Sequence, residues 1–239
     1  MRLRVFAANY HMSIADNFKI VTDRIASAAK RAGREPSSVR LVVVTKTVDV
    51  ESIRQAVAAG ASALGENRVQ EAREKIEKLG NLARWHLIGH LQTNKAKYAV
   101  KLFELIHSVD NLELAKELDK QAAKIGKVQD VLIEVSIAGE AAKAGVAMQE
   151  VIALVREATK LQNLSIKGLM TLPPYSEDPE DSRPFFRKLR ELSENLLKED
   201  IPGVSINELS MGMSGDFEIA VEEGATLVRV GTAIFGERK

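Results

Sequence analysis

Short apolar runs alternate with longer stretches in which apolar residues recur every three or four positions. The runs lie at 40–46, 61–65, 84–89, 105–109, 129–137, 166–172, 206–211 and 226–231, eight candidate strands. Leu41-Val42-Val43-Val44 is apolar at every position, as expected of a parallel strand covered on both faces. Between the runs the spacing is helical. Ile14, Phe18, Val21, Ile25, Ala28 and Ala32 predict a helix over 13–33, with Ser13 as N-cap and Gly33 as stop. Further helices are predicted over 49–59, with Asp49 as cap and Gly60 as stop, and over 68–79, 94–102, 111–125 and 148–161. The last two are 184–198, with Pro184 in the first turn, and 216–223, ending at Gly224. Strand–helix alternation predicts parallel pairing through right-handed crossovers. Eight repeats in a 239-residue chain fit a single-domain (β/α)8 TIM barrel over 13–239 better than an open sheet. Only Thr232 to Lys239 follow the eighth strand, so the N-terminal helix is expected to pack beside that strand as the closing helix. Residues 1–12 read as a leader or disordered extension. The longest loop is Leu172 to Arg183, where Pro173, Pro174 and Pro179 bracket Tyr175.

Composition narrows the function classes. Hydrophobic residues make up 45% of the chain, enough for a sizeable core. With 34 basic and 33 acidic residues and a net charge of +1, neither nucleic acid nor a membrane surface is the expected partner. No cysteine is present, which excludes disulfides, thiolate nucleophiles and iron–sulfur ligation and is compatible with the cytoplasm. No apolar stretch reaches the roughly 18 residues needed to span a bilayer. No two histidines have metal-ligand spacing with an acidic partner, so no metal is expected. His107 is read as ending the fourth strand, and His86 as a hydrogen-bonded core group. Near-zero net charge without an apolar stripe points to a monomer.

The candidate chemistry sits at the carboxyl ends of the runs. Lys46 follows Val44-Thr45, where a half-desolvated amine on a rigid element would have a lowered pKa and suit Schiff-base chemistry. The plain alternative is a surface lysine on a loop. At the other end of the chain, Ser210-Met211-Gly212-Met213-Ser214-Gly215-Asp216 and Arg229-Val230-Gly231-Thr232-Ala233 follow strands seven and eight, where barrels of this type often bind phosphate. Their small residues let backbone N–H groups approach an anion; the alternative is a tight turn, and Asp216 reads as a helix N-cap. Arg229 lies within an apolar strand. It points either into the barrel, where it needs a partner, or outward to a helix carboxylate. An amine, a phosphate cradle and an inward arginine together point to pyridoxal 5′-phosphate.

At these positions the chain closely resembles the pyridoxal-phosphate homeostasis (YggS/PROSC) family. The resemblance rests on Val44-Thr45-Lys46-Thr47, Gly65-Glu66-Asn67-Arg68-Val69-Gln70-Glu71 and the segment from Trp85 to Lys95. It continues in Lys167-Gly168-Leu169-Met170, Leu209 to Asp216, and Val228 to Gly236. The family resembles the barrel half of fold-type III alanine racemases. The resemblance implies that Lys46 carries the Schiff base, that Ser214, Gly231 and Thr232 hold the phosphate, and that Arg229 faces the pyridine nitrogen. It places Asn67 near the ring, Met170 close to the cofactor, and Lys143 where some members have a second lysine, a position whose plainer reading is a solvated loop lysine. At His90 the chain departs from the proline common in the family, and no chemistry is assigned to it.

Arginine opposite the pyridine nitrogen leaves the ring a weak electron sink, since it cannot accept a proton there. The racemases compensate with a second acid–base group from a C-terminal β domain, and this sequence stops soon after strand eight. The expectation is a cytoplasmic holder of pyridoxal phosphate that buffers, carries or delivers it, with pyridoxal-phosphate-dependent apo-enzymes as partners. The alternatives are an amino-acid racemase or decarboxylase and, less in keeping with an inward Arg229, a lysine-dependent aldolase.

Overall fold

The computed structural model describes residues 12–80, 82–137, 139 and 144–237. Lys143 and residues 1–11 of the expected leader lie outside the described residues. Eight strands form the barrel: β1 (Arg40–Val44), β2 (Ala63–Glu66), β3 (Arg84–Leu87), β4 (Leu105–Val109), β5 (Gln129–Ser136), β6 (Leu164–Met170), β7 (Glu208–Ser210) and β8 (Leu227–Val230). Every pairing is parallel; β1 lies between β2 and β8, and β4 pairs with β5, so the sheet closes on itself. A two-residue strand, Val146–Ala147, pairs with the end of β5 outside the barrel. The helices are α1 (Ile14–Arg31), α2 (Val50–Ala58), α3 (Val69–Leu79), α4 (Ala96–Leu102), α5 (Leu112–Ala123), α6 (Val151–Ala158), α7 (Arg183–Lys198), α8 (Phe217–Glu222) and α9 (Thr232–Phe235).

Local chemistry explains most of the boundaries. Ser13 accepts from the Asp16 N–H while the Asp16 carboxylate accepts from the Ser13 N–H, a capping box that starts α1. Asp49 and Asn111 cap α2 and α5 through bonds to Ser52 and Leu114. Two helices are shorter than their patterns predict. Thr93–Lys95 and Met148–Glu150 are single 3-10 turns ahead of α4 and α6.

Alternation along the strands sorts the core into two layers. The outer layer binds helices to the sheet, while Val42, Val44, Ala63, Ile88, Leu105, Leu132, Met170 and Leu227 fill a separate cluster inside the barrel. The expected closing role of the N-terminal helix is realised: α1 lies against α8 and α9. Asn17 donates to the Ile234 carbonyl at 3.0 Å, and Arg24 and Arg31 pair with Glu218 and Glu222 at 2.7 and 2.9 Å. Among the described residues no helix is long and apolar enough to cross a membrane.

Candidate functional site

The carboxyl ends of the strands surround a cleft of about 460 Å³. Lys46, Asn67, Ser214, Arg229, Gly231 and Thr232 all line it, with Val44 and Ile88 as apolar wall. Met170 does not reach the lining; it is fully buried in the inner cluster with Val44 and Ile88. The arrangement is a consequence of closure, since β1 pairs directly with β8 and brings residues near 46 beside those near 230.

Lys46 departs from its expected environment. The strand stops at Val44, and Lys46 stands exposed in the turn beyond it rather than half-desolvated on the strand. Its neighbour Thr47 has φ 59°, unusual for a β-branched residue.

At the neighbouring strand ends, the loop after β7 meets the start of α9. The Gly231 and Ala233 N–H groups both point at Ser214 Oγ, at 3.3 and 3.4 Å. Two amides and a hydroxyl at one spot, beside the small residues Gly215 and Thr232, form an anion-compatible corner. Asp216 is not the side-chain cap of α8 that its position predicts. Its Oδ1 accepts from the Met213 N–H at 2.6 Å and its Oδ2 from Ser182 at 2.9 Å, so the carboxylate braces the loop instead.

Arg229 points inward and is 3% exposed. Burial pushes its guanidinium down to about 10, with Asp216 and Glu134 opposing, so it stays charged at neutral pH. It donates to the Thr171 carbonyl at 2.9 Å and to Ser210 Oγ. Ser210 in turn meets His107 Nδ1 at 2.9 Å, and His107 Nε2 meets His86 Nδ1 at 3.1 Å. Because Arg229 can only donate, the arrangement that gives every donor an acceptor passes protons one way: Ser210 to His107, and His107 to His86. This requires both imidazoles to be neutral. Burial holds His86 down at about 4 and His107 well below its ordinary value, with nearby arginines adding to both. His107 thus sits in the middle of β4 as a link in a buried chain, not at its end as expected. The inward parity it shares with Leu105 is the signal that marks it.

Glu134 on β5 is a further buried group that periodicity leaves unassigned. It is 5% exposed, and its Oε2 has no hydrogen-bond partner. Burial first, and Asp110 second, push its carboxyl up to about 7, with Arg229 opposing. A carboxyl raised on folding holds its proton more tightly in the folded chain. Its stabilisation is therefore complete below the unfolded value near 4.5 and is lost as pH rises through about 7. Glu134→Gln is expected to be more stable than the parent at pH 8 by about 3 kcal/mol, the gap vanishing near pH 4. Urea midpoints across that range measure it; parallel curves for the two proteins would refute it.

A family profile described as the N-terminal domain of alanine racemase matches residues 19–239. The pyridoxal phosphate homeostasis protein of Aquifex aeolicus is 49% identical over 229 residues, covering 95% of this chain and all of that one. The chain belongs to the pyridoxal phosphate homeostasis family. Another homeostasis-family relative, that of Escherichia coli, is 38% identical over 94% of this chain and 97% of its own. The solved structure of PipY from Synechococcus elongatus with pyridoxal phosphate bound has TM-score 0.80 and 39% identity, covering 90% of this chain and 100% of that one. Alanine racemase from Clostridium difficile, at 18% identity and TM-score 0.71, shares the barrel fold over 93% of this homeostasis-family chain and 57% of its own.

Proposed function

We propose that this chain binds pyridoxal 5′-phosphate, linked through Lys46, and serves in cofactor homeostasis as its relatives' names state. The observation that carries the reading is one cleft lined by both a lysine amine and a hydroxyl–amide corner. Bound, pyridoxal phosphate supplies an aldehyde that condenses with a primary amine. The donor set present suits such a ligand, being a primary amine, a neutral anion corner, a guanidinium and apolar walls.

Each residue then has a task. Lys46 supplies the amine from the turn after β1. Ser214, with the Gly231 and Ala233 amides and Thr232, holds the phosphate. Arg229, a donor that cannot accept a proton, faces the ring nitrogen. It is kept in place by Thr171 and the Ser210–His107–His86 chain. Asn67, in the cleft wall, would stand beside the ring, and Met170 packs in the inner cluster rather than lining the site.

The finer reading is a monomer in the cytoplasm that hands the cofactor to pyridoxal-phosphate-dependent apo-enzymes. An exposed Lys46 and a cleft rimmed by Tyr175, which is 90% exposed, favour transfer over sequestration.

The test is direct. Protein incubated with pyridoxal phosphate and treated with borohydride is expected to turn yellow before reduction and to retain one cofactor mass afterwards. That mass should map to the peptide containing Lys46. A colourless protein without added mass would end the proposal.

A further inference from the structure

Beneath the Lys46 turn lies a second lysine that touches nothing in the cleft. Lys75 on α3 is 7% exposed, and its ammonium makes three short bonds: to the Thr45 carbonyl at 2.6 Å, Glu66 Oε1 at 2.7 Å and Glu71 Oε1 at 2.6 Å. An ammonium has three donors, and all three are used. Glu71 Oε1 also accepts from the Thr47 N–H at 2.5 Å, and Glu66 Oε1 from the Thr45 hydroxyl at 2.6 Å. The residue before Lys46 is thus gripped by Lys75 itself, and the residue after it through Glu71.

The gripped backbone is one that does not form by default. Thr47 has φ 59°, a left-handed conformation that a β-branched residue adopts only where its surroundings impose it. Of the described non-glycine residues only Asp200, at φ 45°, shares a positive φ. The imposing groups are the Thr47–Glu71 bond and the ammonium that anchors Glu71. Burial works against ionisation of Glu71, but its bonds to Lys75 and to the Thr47 N–H outweigh this and hold its carboxyl below the ordinary value. Glu66, whose own carboxyl burial pushes up, is fully buried with Oε2 unpartnered, so this charge cluster forms only as a complete set.

We propose that Lys75 is a positioning residue for Lys46: it clamps the strained 45–47 turn from below and so aims the amine into the cleft. This rests on the reading of Lys46 as the cofactor-linking lysine. Without the clamp the turn relaxes, and the fraction of molecules presenting the amine falls, weakening capture by that fraction.

The experiment must separate this from simple loss of a buried ion pair. Lys75→Met alone strands Glu66, so the informative variant is Glu66→Gln/Lys75→Met, which removes both buried charges. Two readouts are followed: the pyridoxal phosphate concentration that half-saturates borohydride labelling at Lys46, and hydrogen exchange at the Thr47 amide in cofactor-free protein. The expected result is a rise of about tenfold in the half-saturating concentration, with faster Thr47 exchange. Adding Thr47→Gly, which makes the left-handed turn unstrained, should restore labelling to near the parent level. Labelling of the double variant like the parent overturns the clamp, as does a loss that Thr47→Gly fails to repair. Either result leaves Lys46 standing so long as the parent itself is labelled there; a parent labelled elsewhere or not at all overturns both.

Discussion

Lys46→Ala is expected to abolish the borohydride-fixed cofactor mass completely while leaving the barrel intact. The side chain is exposed and beyond the end of β1, so truncating it opens no cavity and removes no core contact. What remains is the corner made by Ser214 and the Gly231 and Ala233 amides, with Arg229 on the inner side. Those groups retain a phosphate-bearing aromatic ring without a covalent tie, and affinity should fall on the order of 100-fold, about 2.7 kcal/mol. Equilibrium dialysis gives the affinity and intact-protein mass gives the linkage. Continued cofactor fixation at another lysine in the alanine variant would move the amine elsewhere and remove the basis for the site.

Gly168→Ala is expected to produce the largest loss of stability. Gly168 pairs with Glu208 across β6 and β7, and a methyl group at this position would fall 2.6 Å from the Glu208 carbonyl carbon and 2.9 Å from its Cα. Both are main-chain atoms of a barrel strand, so neither can swing aside as a side chain would. The position also follows a register break, since Val131 pairs with Ile166 while Leu132 pairs with Gly168, leaving Lys167 as the extra residue. The Lys167 carbonyl is held by the Asn207 N–H at 2.9 Å. The bulge and the glycine act together to let β6 and β7 approach closely. Relief of the clash requires parting these strands, at a cost of about 3 kcal/mol or more. Chemical denaturation would show the midpoint drop; an alanine variant as stable as the parent would mean that the sheet yields easily here. Cofactor should partly offset the loss, because the loop after β7 carries Ser214.

Much of the fold was legible because two periodicities were. Runs such as 41–44 could belong only to strands buried on both faces, and eight of them alternating with capped helices left few topologies open. The convergence of Lys46 with the loops near 214 and 231 was legible for the same reason, as strand ends in a closed parallel barrel share one rim. Less visible were groups whose burial depends on partners far away in sequence. Glu71 and Lys75 are four apart on a helix, a spacing the exposed pair Arg73–Glu77 shares, and only Glu66, delivered by β2, sets them apart. Period-two alternation could not decide the direction of Arg229; the inward placement of Ser210, His107 and His86 decides it. Nor does local pattern reveal that Thr47 is left-handed or that Asp216 also braces Ser182, because hydrogen bonds between residues distant in sequence are involved in both.

The seam of the barrel joins distant parts of the chain. Arg40 pairs with Leu227, and Asn17 with Ile234 across 217 positions. During synthesis the greasy stripe of α1 and the open flank of β1 must wait bare until β8 and its flanking helices emerge. So long a wait slows folding and invites mispairing between nascent chains. Variants that weaken the seam should therefore lower the yield from a cell well before they alter the finished protein's hold on its ligand.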